Sequence, residues 1–396
     1  MHDTPSERPV GFPCGGAERD TRRFVHAAAQ PPAARLDRVL HIVPLPLPDT
    51  HTDPSWRDLC TLIRANEREL IGGPQWDVDD ESHLASERED TESVHRRWLA
   101  YVDDAPAGFL AAGTSLVDSP ESATVAVYVL PEHRSRGVAT ALIESFKADP
   151  PPGLTRVKAW VETPITDGAT LSPPSGHGAI DPDHPGVRLA LKQGLRLGIV
   201  ERVSRYDFAT PLVDPAEALA EAQARAGDEY EVLTWEGESP EDLLTGQAVL
   251  KERMAVDQPL GDLTVVETSW DAERLRERER VTLLTNRLFH AVVRHVPSGS
   301  VAAVSDMVLD RSNPEAFVDQ YDTIVLPEHR GRRLGMLVKA ANLLQVRQAV
   351  PTATSIVTWN AAENRYMLEV NEALGFYPIL ISGGFEAQLS SAVLPH

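Results

Sequence analysis

Two short stretches of the sequence place arginine and glycine directly after an apolar run and a proline. VLPEHRSRGVATAL begins at Val129, and VLPEHRGRRLGMLV begins at Val325, so the first six letters are identical at a separation of 196 residues. The proline cannot continue a strand ladder, and the residues after it open a predicted helix whose first backbone N–H groups lack internal partners. The helix dipole, the glycines and the arginines all favour an anion at such a turn. We therefore predict a phosphate-binding turn in each stretch.

The composition of the two turns narrows the kind of phosphate group. Neither turn ends in Gly-Lys followed by serine or threonine, which disfavours a nucleotide-hydrolysing loop with its lysine and magnesium ligand. A pyrophosphate held without a metal fits better. His133 and His329 stand within the turns without other clustered ligands, so we expect them to pack the turns and expect no metal site.

The elements around the first turn can be predicted from residue patterns. DPSWRDLCTLIRANEREL, beginning at Asp53, combines an N-cap residue, a proline at the first helical position and apolar residues at helical spacing, and so predicts a helix. RWLAYV and AGFLAAG predict two strands around the turn DDAP, and ATVAVYVL predicts a third. VATALIESFK predicts a helix, VKAWVE a strand, and HPGVRLALKQGLRLG a helix that ends near a glycine.

The second half of the sequence repeats this order of elements. After a helical connection, AEALAEAQARA, and a strand, YEVLTW, the runs NRLFHAVVRHV and SVAAVSDMVL flank the turn PSG, and YDTIVL leads into the second arginine-glycine turn. GMLVKAANLLQVRQ predicts a helix, SIVTWN a strand, and NRYMLEVNEALGF a helix that ends at Gly375. A whole α/β unit is therefore predicted to occur twice. We predict a flexible N-terminal extension at 1–35, a first copy at 36–211 and a second copy at 212–396.

Composition limits the classes of function. The chain has 396 residues, enough for two domains. Its formal net charge of −21 argues against a nucleic-acid partner. The acidic surface could instead bind a cationic partner or serve only to keep the protein in solution. No long apolar run and no signal peptide is evident, so we expect a cytoplasmic protein without membrane contact. Cys14 and Cys60 form no CxxC pair, so disulfides and a cysteine-rich metal site are not expected.

The run from Arg134 to Ala139 reads Arg-x-x-Gly-x-Ala after an apolar strand and at the start of a helix. It resembles motif A of the GCN5-related N-acetyltransferase (GNAT) family, and the second copy carries a similar turn and a last helix ending in NEALGF. The resemblance implies an α/β fold with a mixed sheet, arranged as two tandem GNAT-like acyl-CoA N-acyltransferase domains, an architecture similar to that of mycothiol synthase. It also implies acetyl-CoA as cosubstrate, with pantetheine entering a gap between splayed strands.

The family pattern can be carried over residue by residue to the cofactor site. The positions that the resemblance assigns to acetyl-CoA in the first copy are Val129, Leu130, Arg134, Arg136, Gly137, Val138 and Ala139. In the second copy they are Val325, Leu326, Arg330, Gly331, Arg332, Arg333, Leu334, Gly335 and Asn364. Arg333 stands where the first copy has Gly137, which puts the geometry of the second turn in question.

The last helix of the family usually carries an asparagine near the cofactor and a tyrosine that acts as the acid. The second copy keeps the asparagine as Asn364 but has Asn371 at the tyrosine position, while the first copy has Asp183 and Ala190 at these places. The first copy therefore looks degenerate, and we expect the second to be catalytic. Tyr366 is an alternative acid.

The remaining catalytic group is the base, for which a carboxylate or an ordered water is needed because only a neutral amine can attack. Asp322 on the strand before the second turn is the candidate, with a purely structural role as the alternative. We therefore expect an N-acetyltransferase acting on a small-molecule amine such as a metabolite or an antibiotic. A non-catalytic acyl-CoA sensor and a protein N-acetyltransferase stay open, as does the choice between monomer and homodimer.

Overall fold

The computed structural model of the protein describes residues 39–313 and 315–389. Nine helices lie in these ranges: α1 Pro54–Ile71, α2 Asp80–Glu89, α3 Val138–Ala148, α4 Pro185–Lys192, α5 Pro215–Ala226, α6 Glu241–Asp257, α7 Ala272–Thr285, α8 Leu334–Ala349 and α9 Arg365–Leu374. The strands described there are β1 Leu40–Pro44, β2 Ser93–Val102, β3 Ala105–Ser115, β4 Ser122–Val129, β5 Arg156–Pro164, β6 Arg196–Asp207, β7 Tyr230–Glu236, β8 Asn286–His295, β9 Val301–Asp310, β10 Val318–Val325, β11 Ser355–Ala361 and β12 Tyr377–Gln388. The predicted extension at 1–35 lies outside the described residues, and within them no helix is long and apolar enough to cross a bilayer.

The strands form one mixed sheet of twelve, in the order β1-β2-β3-β4-β5-β12-β6-β11-β10-β9-β8-β7. Each copy begins as an antiparallel meander, β1 to β4 in the first and β7 to β10 in the second, followed by a parallel pairing, β4 with β5 and β10 with β11. The α/β fold with a mixed sheet is therefore confirmed.

The last strands of the two copies are exchanged at the centre of the sheet. β12, from the second copy, pairs antiparallel with β5 of the first copy, and β6, from the first copy, pairs antiparallel with β11 of the second. β6 and β12 also pair with each other. Consequently the chain from Val39 onward forms one compact unit. A division into domains at residue 212 stays a prediction.

The local signals explain most of the elements. The Asp53 side chain accepts hydrogen bonds from the backbone N–H groups of Ser55 and Trp56, as predicted for the N-cap of α1. Asp103 and Asp104, at the DDAP turn, have φ of 53° and 63°, the left-handed conformation that a tight hairpin needs. One boundary was wrong: the helix predicted over HPGVRLALKQGLRLG ends at Lys192, because the sharp turn at Gly194, with φ of 83°, releases the rest into β6.

Helices cover both faces of the sheet. On β2, Trp98 belongs to the core cluster that contains α3, whereas its neighbour Leu99 belongs to the cluster that contains α1. Since successive side chains of a strand point to opposite faces, α1 and α3 lie on opposite sides. In the second copy α8 packs against β8 and β9 in the largest core cluster, which includes Phe289 and Leu337.

Candidate active site

The parallel strands of each copy separate after three paired residues. β4 and β5 are in register at Ser122–Arg156, Ala123–Val157 and Thr124–Lys158, and β10 and β11 at Val318–Ile356, Asp319–Val357 and Gln320–Thr358. Beyond these pairs the two strands no longer bond to each other, although β4 and β10 continue toward the arginine-glycine turns. The diverging ends leave backbone donors and acceptors that a strand-like ligand can satisfy.

A β-bulge distinguishes the second copy from the first. Between Gln320 and Thr323, β10 has one residue more than β9, so that Tyr321 and Asp322 together stand opposite Asp306. The corresponding strand, β4, pairs with β3 from Ala123 to Val129 without any shift of register. Because a bulge leaves a residue outside the ladder, it frees backbone N–H and re-aims side chains at the splayed end of β10.

The two arginine-glycine turns have the same backbone conformation. Each forms a single 3-10 turn over Pro-Glu-His and then two residues with positive φ, Ser135 (58°) and Gly137 (88°) in the first copy and Gly331 (79°) and Arg333 (60°) in the second. Arg333 therefore adopts the left-handed conformation of Gly137, although it has a side chain. The substitution leaves the turn geometry intact.

The first arginine of each turn forms a hydrogen bond to the backbone of the strand that leads into the turn. The Nε atom of Arg134 donates to the carbonyl of Val129 at 2.9 Å, and that of Arg330 donates to the carbonyl of Val325 at 3.1 Å. Their guanidinium groups also pair with carboxylates of the preceding helices, Glu69 on α1 and Asp257 on α6. Part of the hydrogen-bonding capacity predicted for phosphate is thus used within the protein.

The later arginines of the second turn are more open. The side chains of Arg332 and Arg333 are 49% and 50% exposed, and their nearest carboxylate oxygens, on Glu229 and Glu221, lie 3.9 and 3.7 Å away. Arg136, in the first turn, is exposed. These three side chains can reach an anion without breaking a tight ion pair.

A cavity of about 970 Å³ runs from the second turn to the bulge and is lined by the second copy and by Glu201 of the first. Among the predicted site residues, it brings together Asp322, Val325, Arg330, Asn364 and Tyr366. The other predicted positions of the second copy do not line it; these are Leu326, Gly331, Arg332, Arg333, Leu334, Gly335 and Asn371. The predicted positions of the first copy, from Val129 to Ala139, surround the first turn and are not part of this cavity.

Charged side chains form a network on one wall of the cavity. Asp322 forms an ion pair with Lys251 of α6, whose Nζ also lies 3.8 Å from Asp306. Asp306 in turn accepts from Nδ1 of the buried His290 at 2.8 Å, and Nε2 of that ring lies 3.7 Å from Glu279. Burial acts to lower the pKa of Lys251, but the carboxylates of Asp322 and Asp306 outweigh it and raise the pKa. Lys251 is therefore held as a cation beside Asp322.

Two titratable side chains of the cavity, Asp319 and Lys339, were not identified as candidates from the sequence. Burial raises the pKa of Asp319 to about 7, and burial lowers the pKa of Lys339 to about 7. Lys339 lies on α8 and donates to the Oε1 atom of Gln320 at 2.6 Å. Nothing in the local sequence marks these residues, because their environment comes from the packing of α8 and of the first copy against β10.

The residues predicted on the last helix have separate roles. Asn364 caps α9 by accepting from the backbone N–H of Met367 at 3.3 Å, and Asn371 is fully buried and donates to Oδ1 of Asn360 at 2.6 Å. Tyr366 is 48% exposed, and its hydroxyl would lie 3.8 Å from a Cβ placed on Gly335, at the start of α8. In the first copy the corresponding helix, α4, has His184 rather than Asp183 as its N-cap.

A second cavity, of about 270 Å³, lies where the first copy meets the second. The first copy contributes residues from Gln75 to Ser86, and the second contributes the ends of β8 to β10. The two cavities share three lining residues, Val308, Asp319 and Tyr321. No group of three His, Cys, Asp or Glu side chains suited to a metal ion occurs within the described ranges.

Comparison with known proteins relates this geometry to one family and its fold. The family model described as Acetyltransferase (GNAT) family matches residues 56–169. A tandem GNAT protein from the clavulanic acid biosynthesis pathway has a similar structure, with a TM-score of 0.69 and 23% identity, and covers 90% of this chain and 100% of its own. The chain therefore has the fold of a tandem GNAT protein.

Two further structures share the fold. A GCN5-related N-acetyltransferase from Sphaerobacter thermophilus has a TM-score of 0.55 at 15% identity and covers 90% of this chain and 96% of its own. A glucosamine N-acetyltransferase region of a fungal multi-domain β-N-acetylglucosaminidase has a TM-score of 0.54 at 16% identity and covers 88% of this chain and 38% of its own. No curated protein sequence matches the chain.

The family model that matches residues 56–169 is one of acetyltransferases. The matched residues lie in the first copy, which keeps the turn glycine Gly137. The bulge, the 970 Å³ cavity and the charged network lie in the second copy.

Proposed function

We propose that the chain is a tandem GNAT protein whose second copy transfers the acetyl group of acetyl-CoA to the amine of a small molecule. The observation that carries the proposal is the 970 Å³ cavity, which joins the arginine-glycine turn, the splayed strands and the charged wall in one continuous space. A cavity of this volume is in the range of small-molecule sites. One structural neighbour comes from the clavulanic acid biosynthesis pathway, and another is a glucosamine N-acetyltransferase region. Both descriptions name small molecules, which supports a small-molecule acceptor.

The residues of the second copy fit an acyl-CoA. Arg332 and Arg333 are open to a pyrophosphate, the first N–H groups of α8 face the same turn, and the unpaired backbone of β10 past Gln320 can bond a pantetheine amide. Acetyl-CoA supplies an activated acyl group when bound. The N–H groups freed at the bulge are placed to stabilise negative charge on a carbonyl oxygen at that level.

The acceptor would enter from the charged wall. Lys251 holds Asp322 in an ion pair, so we propose that Asp322 orients the acceptor through its second oxygen and through the network behind it. Asn371 cannot supply a readily lost proton, so the leaving thiolate would be protonated by water or depart unprotonated.

A thiol-release assay with acetyl-CoA and a panel of amines tests the proposal. We expect turnover with at least one small amine, and we expect Arg332→Ala to raise the KM for acetyl-CoA about tenfold because one charge-assisted contact is lost. Arg57→Ala, which removes an exposed arginine of α1, is the matched control and should leave the KM unchanged.

A non-catalytic acyl-CoA-binding protein is the second candidate, and the buried Asn371 in the place of a tyrosine favours it. Titration calorimetry on protein stripped of CoA separates the two. Binding of CoA without thiol release for any amine would establish the sensor, and the number of sites per chain would show whether the first copy also binds.

A further inference from the structure

Lys339 differs from the other lysines of the chain in being buried without a carboxylate partner. The sequence contains five lysines. Lys147, Lys158 and Lys251 each form an ion pair with a carboxylate, and Lys192 is exposed at the end of α4. Lys339 is 1% exposed, and among the described residues no carboxylate pairs with its amine.

The contacts of the Lys339 amine are polar or aromatic and carry no charge. Its Nζ atom donates to Oε1 of Gln320 at 2.6 Å and lies 5.5 Å from the centre of the Phe376 ring. An ammonium group in these surroundings has lost its water without gaining a counter-ion. Burial therefore lowers the pKa of Lys339 to about 7, so a large share of the chains carries a neutral amine there near neutral pH. A desolvated neutral lysine is an activated nucleophile.

The Lys339 amine lies at the point where β10 and β11 separate. Gln320, which accepts from it, is opposite Thr358 in the last paired position of these strands, and the β-bulge follows directly after Gln320. Lys339, Gln320 and Thr358 all line the 970 Å³ cavity. The amine is therefore next to the splayed end, where a pantetheine arm between the strands would bring its thioester.

Lys339 reaches this end from the face of the sheet opposite to the charged wall. The helix that carries Lys339, α8, belongs to the core cluster that contains Val325 of β10. The helix that carries Lys251, α6, belongs to the cluster that contains the preceding residue, Ile324. Since successive side chains of a strand point to opposite faces, a thioester between the strands is open to Lys339 on one face and to an external amine on the other.

The first copy has no amine at the corresponding position. The two turns are 196 residues apart, and the same separation places Ile143 of α3 at the position of Lys339. Ile143 is buried in the apolar core cluster that contains α3. Thr124, paired with Lys158, takes the place of Gln320. The buried amine is therefore specific to the second copy, as are the bulge and the cavity.

We propose that Lys339 is a self-acetylation site, whose amine takes the acetyl group of acetyl-CoA bound in the second copy when no acceptor occupies the cavity. The inference rests on the part of the proposed function that places acetyl-CoA at the second turn. In the step, Nζ of Lys339 forms a bond to the acyl carbon, and the carbon–sulfur bond breaks with its electron pair leaving on sulfur. One amine proton passes to solvent, and the CoA thiolate takes a proton from solvent. The products are a stable amide on the chain and free CoA.

Peptide mapping of the full chain by mass spectrometry, after incubation with acetyl-CoA and no acceptor, tests the inference. We expect the acetylated fraction at Lys339 to exceed that at Lys192 at least about tenfold, because a bound thioester acts at a high effective concentration. Lys192 is exposed in the same chain and reports the background reaction of free acetyl-CoA. A chain denatured in urea before the incubation should show no such difference, because both lysines are then exposed.

A competitor and two variants identify the source of the acetyl group. An excess of CoA, which competes with acetyl-CoA, should lower the modification of Lys339 and leave that of Lys192 unchanged. Lys339→Arg keeps a donor toward Gln320 but has no neutral amine, so only background acetylation of the other lysines should be found. Lys192→Arg, the matched control, should leave the modification of Lys339 unchanged. Because the mapping is done on the native chain, its outcome does not depend on the folding of a variant.

Equal acetylation of Lys339 and Lys192 in the folded chain would overturn the inference, and so would modification of Lys339 that excess CoA does not reduce. If calorimetry shows that the protein binds CoA but Lys339 stays unmodified, the role of Lys339 is wrong and the proposed function stands. If no CoA binding is detected, the proposed function fails together with the inference. Acetylation of Lys339 without turnover of any external amine would support the inference and reject the small-molecule acceptor.

Discussion

At the scale of single residues, the second turn carries an arginine in a conformation that suits glycine. Arg333 has φ of 60°, and the left-handed conformation costs a residue with a side chain about 1–2 kcal/mol. Glycine lowers that strain but loses about 0.5–1 kcal/mol to the entropy of the unfolded chain. The retention of arginine here is understandable if its half-exposed guanidinium contributes to binding of a phosphate group.

Arg333→Gly should therefore raise the stability of the protein and weaken its binding of CoA. We expect the free energy of unfolding to rise by about 0.5–1 kcal/mol, measured by urea denaturation, and the affinity for CoA to fall several-fold, measured by calorimetry. Gly331→Ala, at the neighbouring position with φ of 79°, should lower the free energy of unfolding instead. Unchanged CoA affinity in Arg333→Gly would show that this arginine does not contact the cofactor.

At the scale of elements, β12 joins the two copies through a tightly packed stretch. A Cβ on Gly384 would lie 2.6 Å from the Ile199 side chain of β6 and 3.0 Å from the Trp160 ring of β5. Both neighbours belong to the first copy, so the glycine allows the strand of the second copy to insert between them. Overpacking at this point forces neighbouring side chains out of their preferred rotamers or shifts the backbone of β12.

Gly384→Val should lower the free energy of unfolding by about 1–3 kcal/mol, measured by urea denaturation followed by tryptophan fluorescence. Gln388→Val, at the exposed end of the same strand, is the control and should change it by less than about 0.5 kcal/mol. Because β12 bonds to both β5 and β6, we expect one cooperative transition in the native protein. A Gly384→Val protein as stable as the native one would contradict the inserted packing.

At the scale of the whole molecule, three carboxylates with raised pKa values lie near one another: those of Glu67, Glu162 and Glu201. Burial, followed by repulsion from Glu162, raises the pKa of Glu67 on α1 and of Glu201 on β6 to about 7. Burial also raises the pKa of Glu162 on β5, whose carboxylate accepts from Ser382 of β12 at 3.0 Å. The folded protein therefore holds protons on these groups that the unfolded chain releases near pH 4 to 5.

Glu201→Gln should stabilise the protein at pH 8 by about 2 kcal/mol and leave its stability unchanged near pH 4. The sign follows from the raised pKa: a group that binds its proton more tightly when folded favours folding at low pH, and this contribution is lost as pH rises through about 7. Urea denaturation at the two pH values measures the difference. An equal gain at both would mean that the change acts through packing and not through charge.

Much of the architecture follows from local patterns in the sequence. The repeated VLPEHR run, the N-cap at Asp53 and the hairpin at Asp103 and Asp104 depend on neighbouring residues, and the structure confirms the cap and the hairpin. The equal conformation of both turns is a finding of the structure, since Arg333 had put the second turn in question. The two helices α6 and α7, the loop after α1 and the strands β6 and β12 were not predicted, because their patterns are weak or continue a run assigned to a helix. Asp322 and Asn371 stay predictions as catalytic residues.

By itself, the sequence determined the repeated α/β unit and the resemblance to an acetyl-CoA-dependent family, and it predicted two anion-binding turns, because turn chemistry and apolar periodicity act over a few residues. Only the tertiary structure decided that the last strands are exchanged and that Trp76 of the first copy lines the same cavity as Asp319 of the second, 243 positions later in the chain. Strand order and burial depend on contacts between distant segments, and a carboxylate acquires a pKa near 7 only from the surroundings that those contacts create.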